Sequence, residues 1–193
     1  ELGYRMIFEL VDTHSDHVER ELGAAIAALQ PDGVIVTPPH SENAQITGLL
    51  AESGIPFARS GSKEAGPGIA MTMGDELLAG KATDHLIELG HTRIGFISGP
   101  AEYSLTSWRV DGWREAMANA EFDCDGLLER GDFGFESGLA AARALLDGDI
   151  RPTAIIASSD QMALATLEAA KERGLNVPKD LSVISFDNTP IVR

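Results

Sequence analysis

The sequence predicts an α/β protein built on parallel sheets, and three observations carry that prediction. Short apolar runs of strand length alternate with segments whose apolar residues recur at helical spacing, which is the signature of right-handed βαβ units. Gly54, Gly90, Gly148 and Gly174 stand where the helical patterns stop, as expected of residues that end a helix without a Cβ penalty. Apolar runs also end in small polar and acidic residues, at Ala157-Ser158-Ser159-Asp160 and at Ser182-Val183-Ile184-Ser185-Phe186-Asp187-Asn188-Thr189. An open α/β sheet places its ligand site at such carboxyl ends of strands.

The elements follow in order. Tyr4 to Val11 reads as a first strand. His17 to Leu29 puts Val18, Leu22, Ile26 and Leu29 on one helical face. Pro31-Asp32-Gly33 turns the chain into the short strand Val34-Ile35-Val36. A helix from Asn43 to Glu52 precedes the strand Ile55-Pro56-Phe57-Ala58. Gly61 to Gly68 is a loop, and Ile69 to Thr72 another short strand. Asp75 is placed to cap a helix whose inner face is Leu78, Ala82, Leu86 and Leu89. The strand Ile94 to Ile97 leads to a helix near Thr106 to Asn119. Strands at Leu127 to Glu129 and Ala154 to Ala157 flank a helix carrying Leu139, Ala142, Leu145 and Leu146. Asp160 opens a helix with Leu164, Leu167 and Ala170 inside, and Val177-Pro178 leads to a last strand, Ser182 to Phe186. A division near His91, where a long helix gives way to a new set of βα units, predicts two lobes: residues 1–90 and residues 91–193. A cleft is expected between them. Both ends read as cut, because the first strand has no preceding unit and Arg193 follows the last strand almost at once.

Composition narrows the function classes. At 193 residues with 44% apolar content the chain can bury a real core. Its net charge of -15, from 15 basic and 30 acidic residues, repels phosphate backbones, so this chain alone is not expected to bind nucleic acid. No apolar run reaches the roughly 18 residues of a membrane span, and no signal peptide is visible. Cys124 is the only cysteine, which favours a reducing, cytoplasmic setting.

Enzyme motifs are absent. Gly95-Phe96-Ile97-Ser98-Gly99 has its serine one place off the nucleophile-elbow spacing. Gly61-Ser62-Lys63 lacks the upstream glycine of a phosphate loop, and no helix pattern starts at Gly66-Pro67-Gly68. His14 and His17 with Asp12 and Asp16 read as a solvated helix start rather than a metal site. His85 and His91 flank a helix end, where histidine favours the dipole. The expectation is therefore a binding module, without catalysis, metal or cofactor.

Several stretches together resemble the effector domain of LacI/GalR transcriptional regulators. They are Asp32-Gly33-Val34-Ile35-Val36-Thr37-Pro38-Pro39, the run from His85 to Pro100, Arg109 with Gly112-Trp113, Gly131-Asp132-Phe133 with Ser137-Gly138, Pro152-Thr153-Ala154-Ile155, and Val177 to Val183. Their order and spacing cover nearly the whole chain. The resemblance implies a two-lobed periplasmic-binding-protein-like fold, each lobe a doubly wound, mainly parallel sheet flanked by helices. It also implies a small effector, most often a sugar or nucleoside, in the interlobe cleft. A homodimer is implied as well, with operator DNA contacted only through a helix-turn-helix segment absent from this chain. A secreted sugar-binding receptor of a transport system shares that fold and is the alternative reading, and a sugar-modifying α/β enzyme is a third.

The resemblance also assigns ligand contacts. Arg109 matches the effector-contacting arginine, whose planar fork suits vicinal hydroxyls or a carboxylate. Phe133 matches an aromatic that stacks on ligand, and Asp187 the acidic residue beyond the last strand, suited to two hydroxyls. Ser159 stands where some relatives have asparagine. Asp160 is read equally as a ligand contact and as a helix cap. Tyr103 lies in a contact loop, and Arg59, at a strand end of the first lobe, is read as part of the opposing wall. Where relatives often carry Asp-Asn before the long helix, this chain has Met73-Gly74, which argues against purine-type recognition.

Overall fold

The computed structural model describes residues 3–11 and 17–192. The chain divides into two compact units, Glu1–Met73 and Gly74–Arg193.

In the first unit, helix α1 (Val18–Leu29) is followed by strand β1 (Val34–Val36), a 3-10 turn (His40–Glu42), helix α2 (Ala44–Ser53), strand β2 (Phe57–Ser60) and strand β3 (Ile69–Met71). The sheet has the order β1-β2-β3 and both pairs are parallel, Val34 facing Phe57 and Ala58 facing Ile69. The expected periodicity of α1 is what builds the core, since Val18, Val36, Ile46, Leu50 and Phe57 are buried together with Leu22 and Ile26 packed against them. Asn43 caps α2, its Oδ1 accepting from the amides of Gln45 and Ile46 at 2.9 and 3.2 Å. Gly68 is required twice over: its φ is +77°, and a Cβ there would lie 2.6 Å from the Phe57 ring.

Tyr4 to Val11 departs from expectation. It forms no strand, and Tyr4, Phe8 and Leu10 are 84%, 86% and 98% exposed. A strand exists only where a neighbour completes its backbone hydrogen bonds, and no described strand pairs with this segment. Asp12, His14 and Asp16 lie outside the described residues.

The second unit runs α3 (Asp75–Glu88), β4 (Ile94–Ser98), α4 (Ser104–Asn119), β5 (Leu128–Arg130), α5 (Phe135–Asp147), β6 (Ala154–Ala157), α6 (Asp160–Glu172), β7 (Ser182–Ser185) and a terminal 3-10 turn (Pro190–Val192). Its sheet has the order β5-β4-β6-β7, all parallel, with Phe96 between Leu128 and Ile156. Every residue of β4 and β6 is buried, because helices cover both faces. Ile97, Leu145, Ile155, Met162 and Leu181 make one apolar layer with α5 and α6. Ile94, Phe96, Ile156, Leu86 and Trp113 make the other with α3 and α4. The Trp113 indole N–H donates to the Ile94 carbonyl at 3.1 Å, which satisfies a buried donor. The chain winds outward from β4 to β5 and then returns to the other side of β4 with β6, so the topological switch point lies between β4 and β6.

The sequence reading drew its boundary after Gly90, whereas the compact units divide at Met73 and Gly74. The difference is α3, whose Ala79 and Leu86 belong to the core beneath α4. The two helices approach so closely that a Cβ on Gly112 would lie 2.0 Å from the Glu76 carbonyl oxygen. Asp75 does not cap α3 either. Gly74, at φ 73°, takes that position, and Asp75 is the first helical residue, 3% exposed.

At the amino ends of the strands, the His91 ring lies between Thr153 Oγ1 at 2.9 Å and Ser182 Oγ at 3.0 Å, joining the entries to β4, β6 and β7. Burial pushes its pKa below the ordinary histidine value. The unfolded chain therefore takes up the proton first. The stability contributed by neutral His91 is complete above about pH 6.5 and is lost as pH falls through that value toward the folded one. The urea midpoint is expected to fall between pH 7.5 and pH 5.5, and His91→Gln to flatten that part of the profile. Gly112→Ala is expected to cost about 1–3 kcal/mol in the same urea titration, because helix backbones rather than flexible side chains must separate.

Candidate functional site

The polar residues that the sequence left at strand ends gather at the carboxyl edge of the second sheet, beside the switch point. Arg109, in the second turn of α4, is the centre of that edge. Its Nε donates to Asp75 Oδ1 at 2.8 Å, and Nη2 pairs with the same oxygen at 2.8 Å. Nη1 donates to the Ser158 carbonyl at 3.0 Å, just past β6. The guanidinium lies over the Phe186 ring, 4.2 Å from its centroid, just past β7. The side chains of Arg109 and Asp75 are 12% and 4% exposed. A guanidinium has five N–H donors, so two are not taken by these partners.

An aromatic pair flanks this centre. Tyr103 and Phe133 meet edge to face with centroids 5.4 Å apart. Phe133 adopts φ 69°, a left-handed conformation that a bulky side chain rarely takes. Its carbonyl accepts from Ser159 Oγ at 2.8 Å, which fixes that backbone. Gly99 makes room for the ring, since a Cβ there would lie 2.2 Å from Phe133 Cζ.

Ser159 and Asp160 divide the work that the sequence left undecided. Ser159 is the cap of α6, its Oγ accepting from the Met162 amide at 3.2 Å. Asp160 is the first helical residue and 2% exposed. One carboxylate oxygen accepts from Ser185 Oγ at 2.6 Å, the other from the Thr189 amide and hydroxyl at 2.6 and 2.7 Å. The Ser185 hydroxyl, joined by those of the Thr189 loop, holds its carboxyl below the ordinary aspartate range. Asp160 thereby fastens the loop that carries Asp187, which is exposed at φ 91°.

Arg59 belongs to the first unit. It is 3% exposed, and its Nη1 and Nη2 donate to Ser62 Oγ at 3.0 Å and the Glu64 carbonyl at 2.8 Å. It pins its own loop. A pocket of about 300 Å³ lined by Thr92, Arg93, Phe122, Leu127 and Ile150 lies at the amino end of β4, away from these groups.

Four residues of this edge escaped the sequence reading. Asp75 was taken for a cap, and Phe186 for the end of a strand. Thr106 Oγ1 and Ser158 Oγ are buried without a hydrogen-bond partner, in side chains 4% and 2% exposed. No sequence signal marks such hydroxyls. Ser98, at the end of β4, gives its hydroxyl to the Glu129 carbonyl at 3.2 Å. Among the described residues no group of three His, Cys, Asp or Glu side chains could hold a metal ion.

A buried, paired arginine beside an aromatic edge stands at the switch point of a doubly wound sheet, the place where open α/β sheets present a ligand crevice, and marks the candidate site of this α/β domain. Residues 83–193 match the periplasmic binding protein-like domain family, and the chain belongs to that family, in its LacI/GalR branch. It is 34% identical over 194 residues to catabolite control protein A of Priestia megaterium, covering 96% of this chain and 56% of that protein. It is 33% identical over 196 residues to the HTH-type transcriptional regulator CelR of Thermobifida fusca, covering 99% of this chain and 56% of the relative. A solved transcriptional regulator CelR–cellobiose complex superposes with TM-score 0.79 at 33% identity, over 91% of this chain and 54% of that one. The chain thus spans a little over half the length of the curated relatives it matches.

Asp160→Asn is expected to release the loop beyond β7. Amide exchange at Thr189 should quicken by about tenfold, the loss of a charge-assisted hydrogen bond, with little change at the core amides of β6. Hydrogen exchange read by NMR would show it, and unchanged protection at Thr189 would contradict the role given to Asp160.

Proposed function

We propose that this chain is the effector-sensing domain of a sugar-responsive LacI/GalR-type transcriptional regulator. It binds a small polar molecule at the carboxyl edge of the second sheet and does no chemistry on it. The observation that carries this reading is Arg109: held by Asp75, the Ser158 carbonyl and Phe186, it keeps two N–H groups for a ligand. Tyr103 and Phe133 supply an aromatic surface for the apolar face of a sugar or nucleoside. Asp187 accepts hydroxyls from the adjoining loop. Ser159 contributes by fixing Phe133, and Arg59 remains a ligand candidate of the first unit.

The regulator reading is supported over the transport-receptor one by what the relatives are: a control protein and a transcriptional regulator. In the whole protein, a helix-turn-helix outside this chain binds operator DNA as a homodimer in the cytoplasm. The effector acts by binding one conformation better than another, and operator DNA must alter effector affinity by the same factor.

Titration calorimetry of the intact protein against neutral saccharides and nucleosides, cellobiose included, tests the reading. At least one is expected to bind, and Arg109→Gln to weaken it by about tenfold or more. A gel-shift assay with the adjoining promoter DNA is expected to respond to the same compound. Binding that leaves operator affinity unchanged would defeat the sensor reading.

A further inference from the structure

The charge balance around Arg109 carries a statement about what the site rejects. This inference rests on reading the carboxyl edge of the second sheet as the effector site. We propose that this edge takes an uncharged, hydroxyl-bearing ligand and excludes phosphate and carboxylate groups, and that Asp75 is the residue that decides it.

Arg109 does not present a free positive charge. Asp75 neutralises it from 2.8 Å through two nitrogens, and both side chains are largely buried. The other charged residues at or just beyond the carboxyl ends of these strands are Arg130, Asp132, Asp160 and Asp187, with Glu102 in the loop after β4. Acid therefore outnumbers base. Asp160 stays ionised, because the Ser185 hydroxyl and the Thr189 amide and hydroxyl stabilise its charged form.

An arriving anion has two routes, both unfavourable. It can take the outer N–H groups of Arg109 while Asp75 stays, which sets two like charges across one guanidinium. Or it can displace Asp75, which leaves a carboxylate only 4% exposed without its cation. A hydroxyl meets neither difficulty. It accepts from an outer N–H of Arg109 and donates its own proton to a neighbouring oxygen.

Two further hydroxyls fit that exchange. Thr106 lies three residues before Arg109 on α4, on the same helix face, and its Oγ1 would be 2.9 Å from a Cβ on Gly99. Ser158 Oγ belongs to the residue whose carbonyl holds Arg109. Both oxygens are buried and lack a partner in the structure, so each has hydrogen-bonding capacity to spare beside the pair. Asp75 is thus a positioning and specificity residue that acts through Arg109.

Inorganic phosphate is the decisive probe, because it does not depend on knowing the effector. On the intact wild-type protein, calorimetry is expected to show no Arg109-dependent phosphate binding at millimolar concentration. Asp75→Asn is expected to gain it, with affinity raised about tenfold or more, and the double variant Asp75→Asn, Arg109→Gln to lose it again. Asp75→Glu, which keeps the charge, should behave as wild type. Phosphate bound by the wild type through Arg109 would overturn the proposal, as would a folded Asp75→Asn protein indifferent to phosphate. Should Asp75→Asn fail to fold, wild-type binding of ribose against ribose 5-phosphate, and of cytidine against its 5′-monophosphate, decides the matter. Preference for a phosphorylated member overturns the charge argument but leaves the sensor reading standing. Gain of phosphate by Asp75→Asn, with no neutral saccharide or nucleoside bound by wild type, keeps the charge argument and sinks the sensor reading.

Discussion

The Asp75–Arg109 ion pair organises the carboxyl edge of the second unit's sheet. A single guanidinium gathers the first turn of α3, the body of α4, the chain leaving β6 and the ring that follows β7. With both side chains largely out of water, removing either partner leaves a charge stranded, a loss of roughly 3–5 kcal/mol in comparable buried pairs. The pair is thus a structural clamp, and the proposed selection against charged ligands rests on it. Its geometry depends in turn on the near contact of α3 with α4 at Gly112, where the Glu76 carbonyl fills the space of a missing side chain.

The rest of the edge is built outward from that clamp by short hydrogen-bonded links. Ser159 caps α6 and reaches the Phe133 carbonyl, so the helix start and the aromatic wall share one hydroxyl. Asp160 uses both carboxylate oxygens on Ser185 and Thr189. The opposite end of the sheet is secured separately, by His91 between Thr153 and Ser182.

Most of the second unit was legible because its signals are local. Ile94 to Ile97 and Ala154 to Ala157 are apolar runs too short for helices, and both are wholly buried strands. Gly90 and Gly174 stop their helices as expected, both at positive φ. Tyr4 to Val11 shows the limit of that reasoning, since alternation says which way side chains point and not whether a neighbouring strand exists. The boundary read near His91 differs from the compact units for a related reason: the helix before it looks like the end of one lobe until its buried face is matched to α4. Within the candidate site, Arg109 and Phe133 were singled out through resemblance, and the structure brings both to the carboxyl edge of the second sheet. Asp75 was missed because a carboxylate at a helix start is explained locally, while its partner lies 34 residues away. Thr106 was read only as a helix start and Ser158 only as part of a polar strand end, because an unpaired hydroxyl is a property of packing and not of residue type.

Gly99 offers no side-chain functional group, yet the Phe133 ring occupies the volume a side chain there would need. The shape of the aromatic wall is therefore written partly in an absence. A survey of ligand-contacting side chains would pass over this position, although a single methyl group there would move the wall. Divergence in specificity among proteins of this design can begin at a glycine one layer behind the binding surface, with every contacting residue unchanged.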